Sequence, residues 1–181
     1  MSFARVRALV VIGVLAVAAV VFVIVALVRD SQDGAVAGGC PKGSVMANVT
    51  LPDNPSEVTI KVYNGTDTAG LGESVTESFA NRNFKTQKPA ENKKKFKGVA
   101  QLRYGPQAVG AAHLLKAYFL ARAEPQYEPK RKNAVVDVVI GSEFQQLATT
   151  TEVNQSLVEI GEPDLPPGAC LKPVTKKPED D

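Results

Sequence analysis

The chain has 181 residues, which favours one folded domain with additional segments over two full domains. Hydrophobic residues make up 44% of it, an ordinary share for a globular protein, and the formal net charge is only +2, but both are unevenly distributed. Two cysteines and one histidine do not make a closed zinc site, so we expect no metal and no cofactor.

The first predicted element is a transmembrane helix over residues 8–28. This stretch contains 21 residues without a charge or a strong hydrogen-bonding side chain. At about 1.5 Å per residue, a helix of this length covers the ~30 Å hydrocarbon core of a bilayer. A buried core helix is the alternative, although helices of soluble proteins almost always carry a polar face.

Flanking charges predict the orientation of this segment. Two arginines lie in the short segment 1–7, whereas acidic residues follow the apolar run closely. Because positive charge is retained on the cytoplasmic side, we expect the N-terminus inside the cell and the C-terminal part in the extracytoplasmic, or periplasmic, space. The alternatives are a cleaved signal peptide, with small residues at Ala35-Val36-Ala37, and a lipoprotein attached through Cys40.

The two cysteines bracket the external part of the chain. Cys40 lies in a predicted linker, 29–55, and Cys170 lies in a Pro-rich tail, 146–181, expected to be extended with a possible short helix near Asn154 to Ile160. In an oxidising compartment we expect one disulfide, with two free thiols as the alternative. In the chain-entropy model a bond closing so long a loop contributes about 4–5 kcal/mol.

The folded domain is predicted over residues 56–145 and begins with a strand and a helix. Apolar and polar residues alternate from Val58 to Tyr63, which predicts a strand with one buried face. Apolar residues recur every four positions from Leu71 to Phe79, which predicts an amphipathic helix.

Three further strands and one helix complete the predicted domain. Strands are expected at Phe84 to Lys88, Val99 to Tyr104 and Ala134 to Ile140, and a second helix begins at Gly105-Pro106. The predicted fold class is therefore α+β, with a four-stranded sheet in the order β-α-β-β-α-β and two helices on one face.

Several motifs in this order resemble the LytR C-terminal domain family. A strand ends in Asn-Gly, and a short loop leads to a Gly-Leu-Gly helix start. Arg103-Tyr104-Gly105 ends the third strand before an Ala-rich helix, and a closing strand, Val138 to Ile140, is followed by Gly and an acidic residue. The resemblance covers roughly residues 56–145. The candidate binding residues in these motifs are Asn64, Gly65, Gly70, Gly72, Arg103 and Tyr104.

The resemblance carries expectations about function. The family is named after phosphotransferases that transfer glycopolymers to peptidoglycan, and this chain has no room for their catalytic domain. Small proteins with one membrane anchor and only this domain are typical of actinobacteria, where they are linked to envelope integrity. The resemblance therefore implies an envelope protein without that catalytic activity.

The glycines also have a physical interpretation that is independent of family. Asn64-Gly65 can supply a positive φ after the first strand. Gly70 and Gly72 allow tight packing of helix on sheet, or alternatively expose N–H groups to an anion. Nucleotide binding is not expected, because the GxGxxG and P-loop spacings are absent.

Charge is concentrated in two blocks. Residues 85–132 contain twelve Lys and Arg against three Glu, a net charge of +9, whereas residues 133–181 carry −6. Outside the membrane the candidate partners of the basic block are anionic wall polymers, phospholipid headgroups or the chain's own acidic tail, rather than nucleic acid. A solvated loop is the alternative. The candidate polyanion patch comprises Lys93, Lys94, Lys95, Lys97, Lys130, Arg131 and Lys132.

Catalytic motifs are missing from the sequence. An active site would require Asp137, Glu143 and His113 to meet in one cleft, which the predicted strand and helix phases disfavour. We therefore expect a non-enzymatic envelope protein whose domain binds cell-wall glycan or wall-assembly partners. A protein–protein scaffold for membrane-bound wall enzymes is the alternative.

Overall fold

The structure is a computed structural model that describes residue 40, residues 44–171 and four positions within the N-terminal apolar segment. The chain divides into two compact units, Met1–Gly39 and Cys40–Asp181.

The first unit contains the predicted transmembrane segment, most of which lies outside the described residues. Its described members, Gly13, Leu15, Ala19 and Val20, are helical and exposed. Within the residues that are described, no helix combines the length and apolarity needed to cross a membrane.

The second unit is built on a mixed six-stranded sheet with three helices. The elements are β1 (Thr59–Asn64), α1 (Leu71–Ala80), β2 (Lys85–Thr86), β3 (Ala90–Glu91), β4 (Ala100–Tyr104), α2 (Val109–Tyr118), β5 (Ala123–Tyr127), β6 (Val135–Ile140) and α3 (Thr150–Ile160), with 3-10 turns at Pro55–Glu57 and Pro106–Ala108. The strand order is β2-β1-β6-β4-β5, and β3 pairs with the C-terminal end of β1, whose N-terminal end pairs with β2. All pairs are parallel except β4 with β6.

One face of the sheet forms the hydrophobic core, and we call it the covered face. Its central residues, Val62, Leu102 and Val138, are adjacent in the strand register and at most 1% exposed. Phe79 of α1 and Leu115 of α2 join the same cluster, both 0% exposed. The prediction that two helices pack on one face of the sheet is therefore confirmed.

The predicted number of strands is wrong, since the described sheet has six strands and not four. The edge strand β5 contains Pro125, which lacks an N–H, and edge strands tolerate this because one side of the strand has no partner. The single strand expected at Phe84 to Lys88 is replaced by two short ones. Pro89, between them, has no N–H to donate.

The opposite side of the sheet carries no helix within the described residues, and we call it the open face. Strand alternation places on it Lys61 and Tyr63 of β1, Gln101 and Arg103 of β4, and Asp137 of β6. Asp137 lies between its partners Lys61 and Arg103 in the strand register. The charged and polar side chains of the central strands therefore lie next to one another.

The linker and tail described in the structure contact the domain. Cys40 and Cys170 form the predicted disulfide, with their Cα atoms 5.8 Å apart and a sequence separation of 130. The backbone of Asn48 exchanges hydrogen bonds with Pro106 and Gly110 at the start of α2. The long loop closed by the disulfide is thus also fixed by backbone hydrogen bonds.

Helix α3 extends the predicted short helix towards the N-terminus and packs on α2. Its N-terminus has a capping box, in which Thr149 and Glu152 exchange side-chain and backbone hydrogen bonds. These bonds from Thr149 to the carboxylate lower the pKa of Glu152. Part of the tail expected to be extended is therefore helical and joined to the domain.

Candidate binding site

The open face contains a shallow hollow of about 360 Å³ next to the loop that follows β3. Three strands supply its floor, and β3 with the following loop supplies its rim. We call this the Arg103 hollow, and it is lined by Tyr63, Glu91, Asn92, Lys93, Lys94, Arg103 and Asp137. Its volume falls within the range of small-ligand sites, roughly 300–1,000 Å³.

The Arg103 guanidinium is held in place by two neutral partners. Its Nε donates to Gln101 Oε1 at 2.9 Å, and its Nη1 donates to Asn92 Oδ1 at 3.3 Å. Within the described part of the chain, no carboxylate lies within 4.0 Å of Arg103. The side chain is thus oriented while its positive charge is not compensated by an ion pair.

Asp137 is engaged by a different arginine. Arg131 donates from Nη1 to Asp137 Oδ2 and lies with Nη2 near Asp137 Oδ1, both at 2.9 Å. The same guanidinium also contacts Glu128 at 3.3 Å and Asn133 at 3.0 Å. The hydrogen bond with Asp137 raises the pKa of Arg131. Arg131 therefore clamps the β5–β6 loop to the open face.

The rest of the hollow combines one aromatic ring with cationic side chains. Lys61 lies over the Tyr63 ring, with Nζ 5.1 Å from the centroid. Lys93 and Lys94 are exposed on the rim, and Asn92 Nδ2 donates to the Lys94 carbonyl at 2.5 Å. The hollow is therefore dominated by hydrogen-bond donors beside an aromatic wall.

The predicted Asn-Gly motif organises the loop between β1 and α1. Asn64 is 2% exposed, its Oδ1 accepts from Thr66, and its Nδ2 donates to the Thr68 carbonyl at 2.9 Å. The expected positive φ is not present at Asn64 or Gly65. Position 65 requires glycine for a different reason, because an added Cβ would lie 2.6 Å from the Ile140 carbonyl oxygen.

The other glycines and Tyr104 lie away from the hollow. Gly70 has φ +76° at the start of α1 and is exposed, whereas Gly72 is buried beside Asn64. Tyr104 is on the covered face, where burial raises its pKa, with a smaller contribution from Tyr127. Of the six candidate binding residues, Arg103 is the one that lines the hollow.

The predicted polyanion patch is divided among several environments. Lys93 and Lys94 line the hollow. Lys95 contacts Asp67 at 2.8 Å and donates to the Thr66 carbonyl, which joins its loop to the one before α1. The remaining members are Lys97, Lys130 and Lys132, which are exposed, and Arg131, whose side chain is largely buried in its ion pair.

The three residues considered for catalysis have separate partners. His113 Nε2 lies 2.8 Å from the Gly161 carbonyl, where α2 meets the end of α3. Asp137 pairs with Arg131 on the open face, and Glu143 lies 4.0 Å from Arg122. His113 also lines a second cavity of about 180 Å³ between α2 and the β4–β5 edge. No group of three metal-binding side chains occurs among the described residues.

Sequence reasoning did not select Tyr63, Asn92 or Gln101 as site residues. Alternation along β1 places Tyr63 opposite the core, so its position was available from the pattern. Gln101 follows from the same argument on β4. No sequence pattern placed Asn92 in the site, because this residue reaches Arg103 only through the pairing of β3 with β1.

Together, a mixed sheet with helices on one face and a polar hollow on the other define a small α/β domain. Residues 57–144 match the family described as LytR cell envelope-related transcriptional attenuator. The chain therefore contains a LytR C-terminal domain, and the resemblance predicted from the motifs is confirmed.

A solved structure has a fold similar to that of this chain. The chain is similar to the soluble domain of a conserved hypothetical secreted protein from Mycobacterium marinum, with a TM-score of 0.53 and 18% identity. The similarity covers 68% of this chain and 92% of that chain. No curated protein matches the chain.

Proposed function

We propose that the chain is a single-pass membrane protein whose extracytoplasmic domain supports cell-envelope integrity without catalysis, by binding cell-wall glycan. The family description refers to the cell envelope, and the apolar segment 8–28 has the length of a membrane span. Two arginines before that segment favour a cytoplasmic N-terminus.

The observation that carries the proposal is the Arg103 hollow, on a sheet face that no helix covers in the described part of the chain. Tyr63 and Asn92 line the hollow, where the Tyr63 ring offers an aromatic surface to a sugar and the Asn92 amide can bond hydroxyls. Gln101 lies beside the hollow, where it accepts a hydrogen bond from Arg103. Arg103, Lys93 and Lys94 favour acidic groups on the same polymer. An open sheet face also accommodates a chain that continues beyond the hollow.

Retention of the detergent-solubilised full chain on purified peptidoglycan tests this function. We expect retention at low salt and weaker retention at about 0.5 M salt, because screening shortens the range of the cationic contribution. Arg103→Gln should release the protein, whereas Lys130→Gln, an equal charge change at an exposed position outside the hollow, should not. An absence of retention at low salt would rule out glycan binding.

The anchor and its orientation are tested separately. We expect the full chain to sediment with membranes and to resist extraction by carbonate. Protease added to intact spheroplasts should remove the domain and leave the N-terminal segment protected. A soluble, shortened product in wild-type cells would instead support a cleaved signal peptide.

A scaffold for membrane-bound wall enzymes is the second candidate, and the turn after α2 favours it. Leu120 and Ala121 have φ values of +52° and +60°, unusual for residues other than glycine. This strained turn presents Leu120, which is 45% exposed. Photo-crosslinking from position 120 in living cells should then capture an envelope protein, and recovery of none would count against the scaffold.

A further inference from the structure

The hollow has an excess of unused hydrogen-bond donors. A guanidinium has five N–H groups, and Arg103 directs only two of them, one to Gln101 and one to Asn92. Within the described residues, Lys93 and Lys94 have no ion-pair partner within 4.0 Å. A ligand that fits this site must therefore supply acceptor oxygens and negative charge.

The acceptors already present are largely occupied. Asp137 faces Arg131 with both carboxylate oxygens at 2.9 Å, and Glu91 Oε1 accepts from buried Asn64 at 3.3 Å. Asp137 is therefore balanced by Arg131, and the remaining charge of Glu91 offsets only one of the three positive charges of Arg103, Lys93 and Lys94. What the hollow offers a ligand is an oriented guanidinium flanked by two exposed ammonium groups.

This donor set distinguishes between kinds of oxyanion. A carboxylate has two coplanar oxygens and one charge, which the fork of a single arginine satisfies. A phosphodiester also carries one charge and two free oxygens, but its phosphorus is tetrahedral, so donors can approach those oxygens from outside a single plane. Three separate cationic groups match the phosphoryl group better.

We infer that the Arg103 hollow binds phosphoryl groups of an anionic glycopolymer, with Arg103 as the oriented donor and Lys93 and Lys94 as flanking charges. This inference rests on the proposed function and names the chemical group that the site recognises on the wall. In a phosphodiester polymer, each repeat brings a further charge towards the rim lysines.

A soluble polymer fits this face better than a phospholipid headgroup does. Peripheral membrane binding combines basic residues with apolar side chains that enter the bilayer. The exposed large apolar residues described in the second unit are Leu51, Leu120, Val158 and Leu171, and none lines the hollow. The face instead has a polar floor, and no helix of the described residues lies above it.

Binding of two synthetic polymers to the detergent-solubilised full chain tests the inference. The probes are oligomeric poly(glycerol phosphate) and oligogalacturonate with the same number of charges. We expect the phosphate polymer to bind at least about tenfold more tightly, a difference of roughly 1.4 kcal/mol. Arg103→Gln should remove most of this preference, and Arg103→Lys should restore only part, because lysine lacks the planar fork.

Paired double variants separate the hollow from general charge. Lys93→Gln with Lys94→Gln and Lys130→Gln with Lys132→Gln remove the same charge from exposed positions, but only the first pair lines the hollow. We expect the first pair to weaken phosphate-polymer binding by about tenfold and the second by less than about twofold. All four sites are exposed, so this test holds even if an Arg103 variant fails to fold.

Three results would overturn the inference. They are equal affinity for the two polymers, equal loss in the two double variants, and binding confined to phosphatidylglycerol vesicles. Retention on peptidoglycan stripped of phosphodiester-linked polymers distinguishes this failure from failure of the proposed function. Retention on this stripped peptidoglycan without a preference for phosphate would contradict the inference but still support glycan binding. Binding of the phosphate polymer without any retention on the wall would contradict the proposed function but still support the phosphate site.

Discussion

The two faces of the same sheet differ in almost every physical respect. In β6, Val138 is fully buried against the helices, while the preceding residue, Asp137, lies on the open face in an ion pair. In β4, Leu102 is buried and the next residue, Arg103, lines the hollow. Neighbouring residues therefore serve either the core or a surface, according to the twofold alternation of the strand.

The two faces therefore have different roles, since the covered face stabilises the fold and the open face is available for binding. The covered face buries apolar area and contributes most of the folding free energy. The open face keeps charged groups in partial contact with solvent, where each needs a partner or a ligand. Asp137 has its partner in Arg131, whereas Arg103 has only neutral ones.

Loss of the disulfide should have the largest effect on stability while leaving ligand binding intact. Cys170→Ser should lower the free energy of unfolding by about 4–5 kcal/mol if chain entropy dominates. Limited proteolysis should then cut after Ile160 and near Asn48, while α3 stays attached through its contacts with α2. Non-reducing mass mapping of protein from native membranes checks the bond, and free thiols in that sample would contradict it.

Truncating a buried side chain on the covered face should cause the second largest loss of stability. Phe79 is 0% exposed, and its ring contacts Phe84, Tyr118 and Phe119. Phe79→Ala should cost about 4 kcal/mol in urea unfolding, from lost burial and the cavity left behind.

Tyr63→Ala is the matched change on the open face and should cost less than about 1.5 kcal/mol, while weakening glycan binding. Comparable destabilisation by the two substitutions would show that the open face is also part of the folding core.

Breaking the Arg131 clamp should have an intermediate effect. Arg131→Met leaves the carboxylate of Asp137, whose side chain is only 16% exposed, without its partner. We expect a loss of about 3 kcal/mol. Adding Asp137→Leu should recover much of it, since an apolar pair replaces an ion pair with little cost. Urea unfolding of the three variants measures this coupling, and simple additivity of the two changes would contradict it.

The smallest expected effect on stability accompanies a large effect on binding. Asn92→Asp places a carboxylate 3.3 Å from Arg103 Nη1 with almost no change of shape. The new ion pair should compete with an anionic ligand and reduce its affinity about tenfold, while the free energy of unfolding changes by less than about 1 kcal/mol. Asn133→Asp, beside Arg131, provides the matched control and should leave affinity unchanged.

Some of this architecture followed directly from sequence periodicity. The alternation around Ile60 and the fourfold spacing from Leu71 to Phe79 place β1 and α1 correctly, because each element buries one face. Strand β5 was not predicted, because apolar and polar residues alternate only weakly along it and it contains Pro125. Its pairing with β4 depends on tertiary structure.

The hollow was only partly accessible to the same reasoning. Arg103, Lys93 and Lys94 stood out by motif or charge. Their meeting with Asn92 depends on β3 joining β1 and on β4 running antiparallel to β6, which no local pattern encodes. The ion pair between Arg131 and Asp137 likewise became evident only from the folded structure.

Binding of ligand to the open face through the Arg103 hollow can be mapped by amide hydrogen exchange. The full chain in detergent is compared with and without soluble wall-glycan fragments. We expect added protection confined to residues 61–63, 91–94 and 101–103, and its loss in Arg103→Gln. Protection centred on α2 and α3, or none despite saturating fragments, would contradict it.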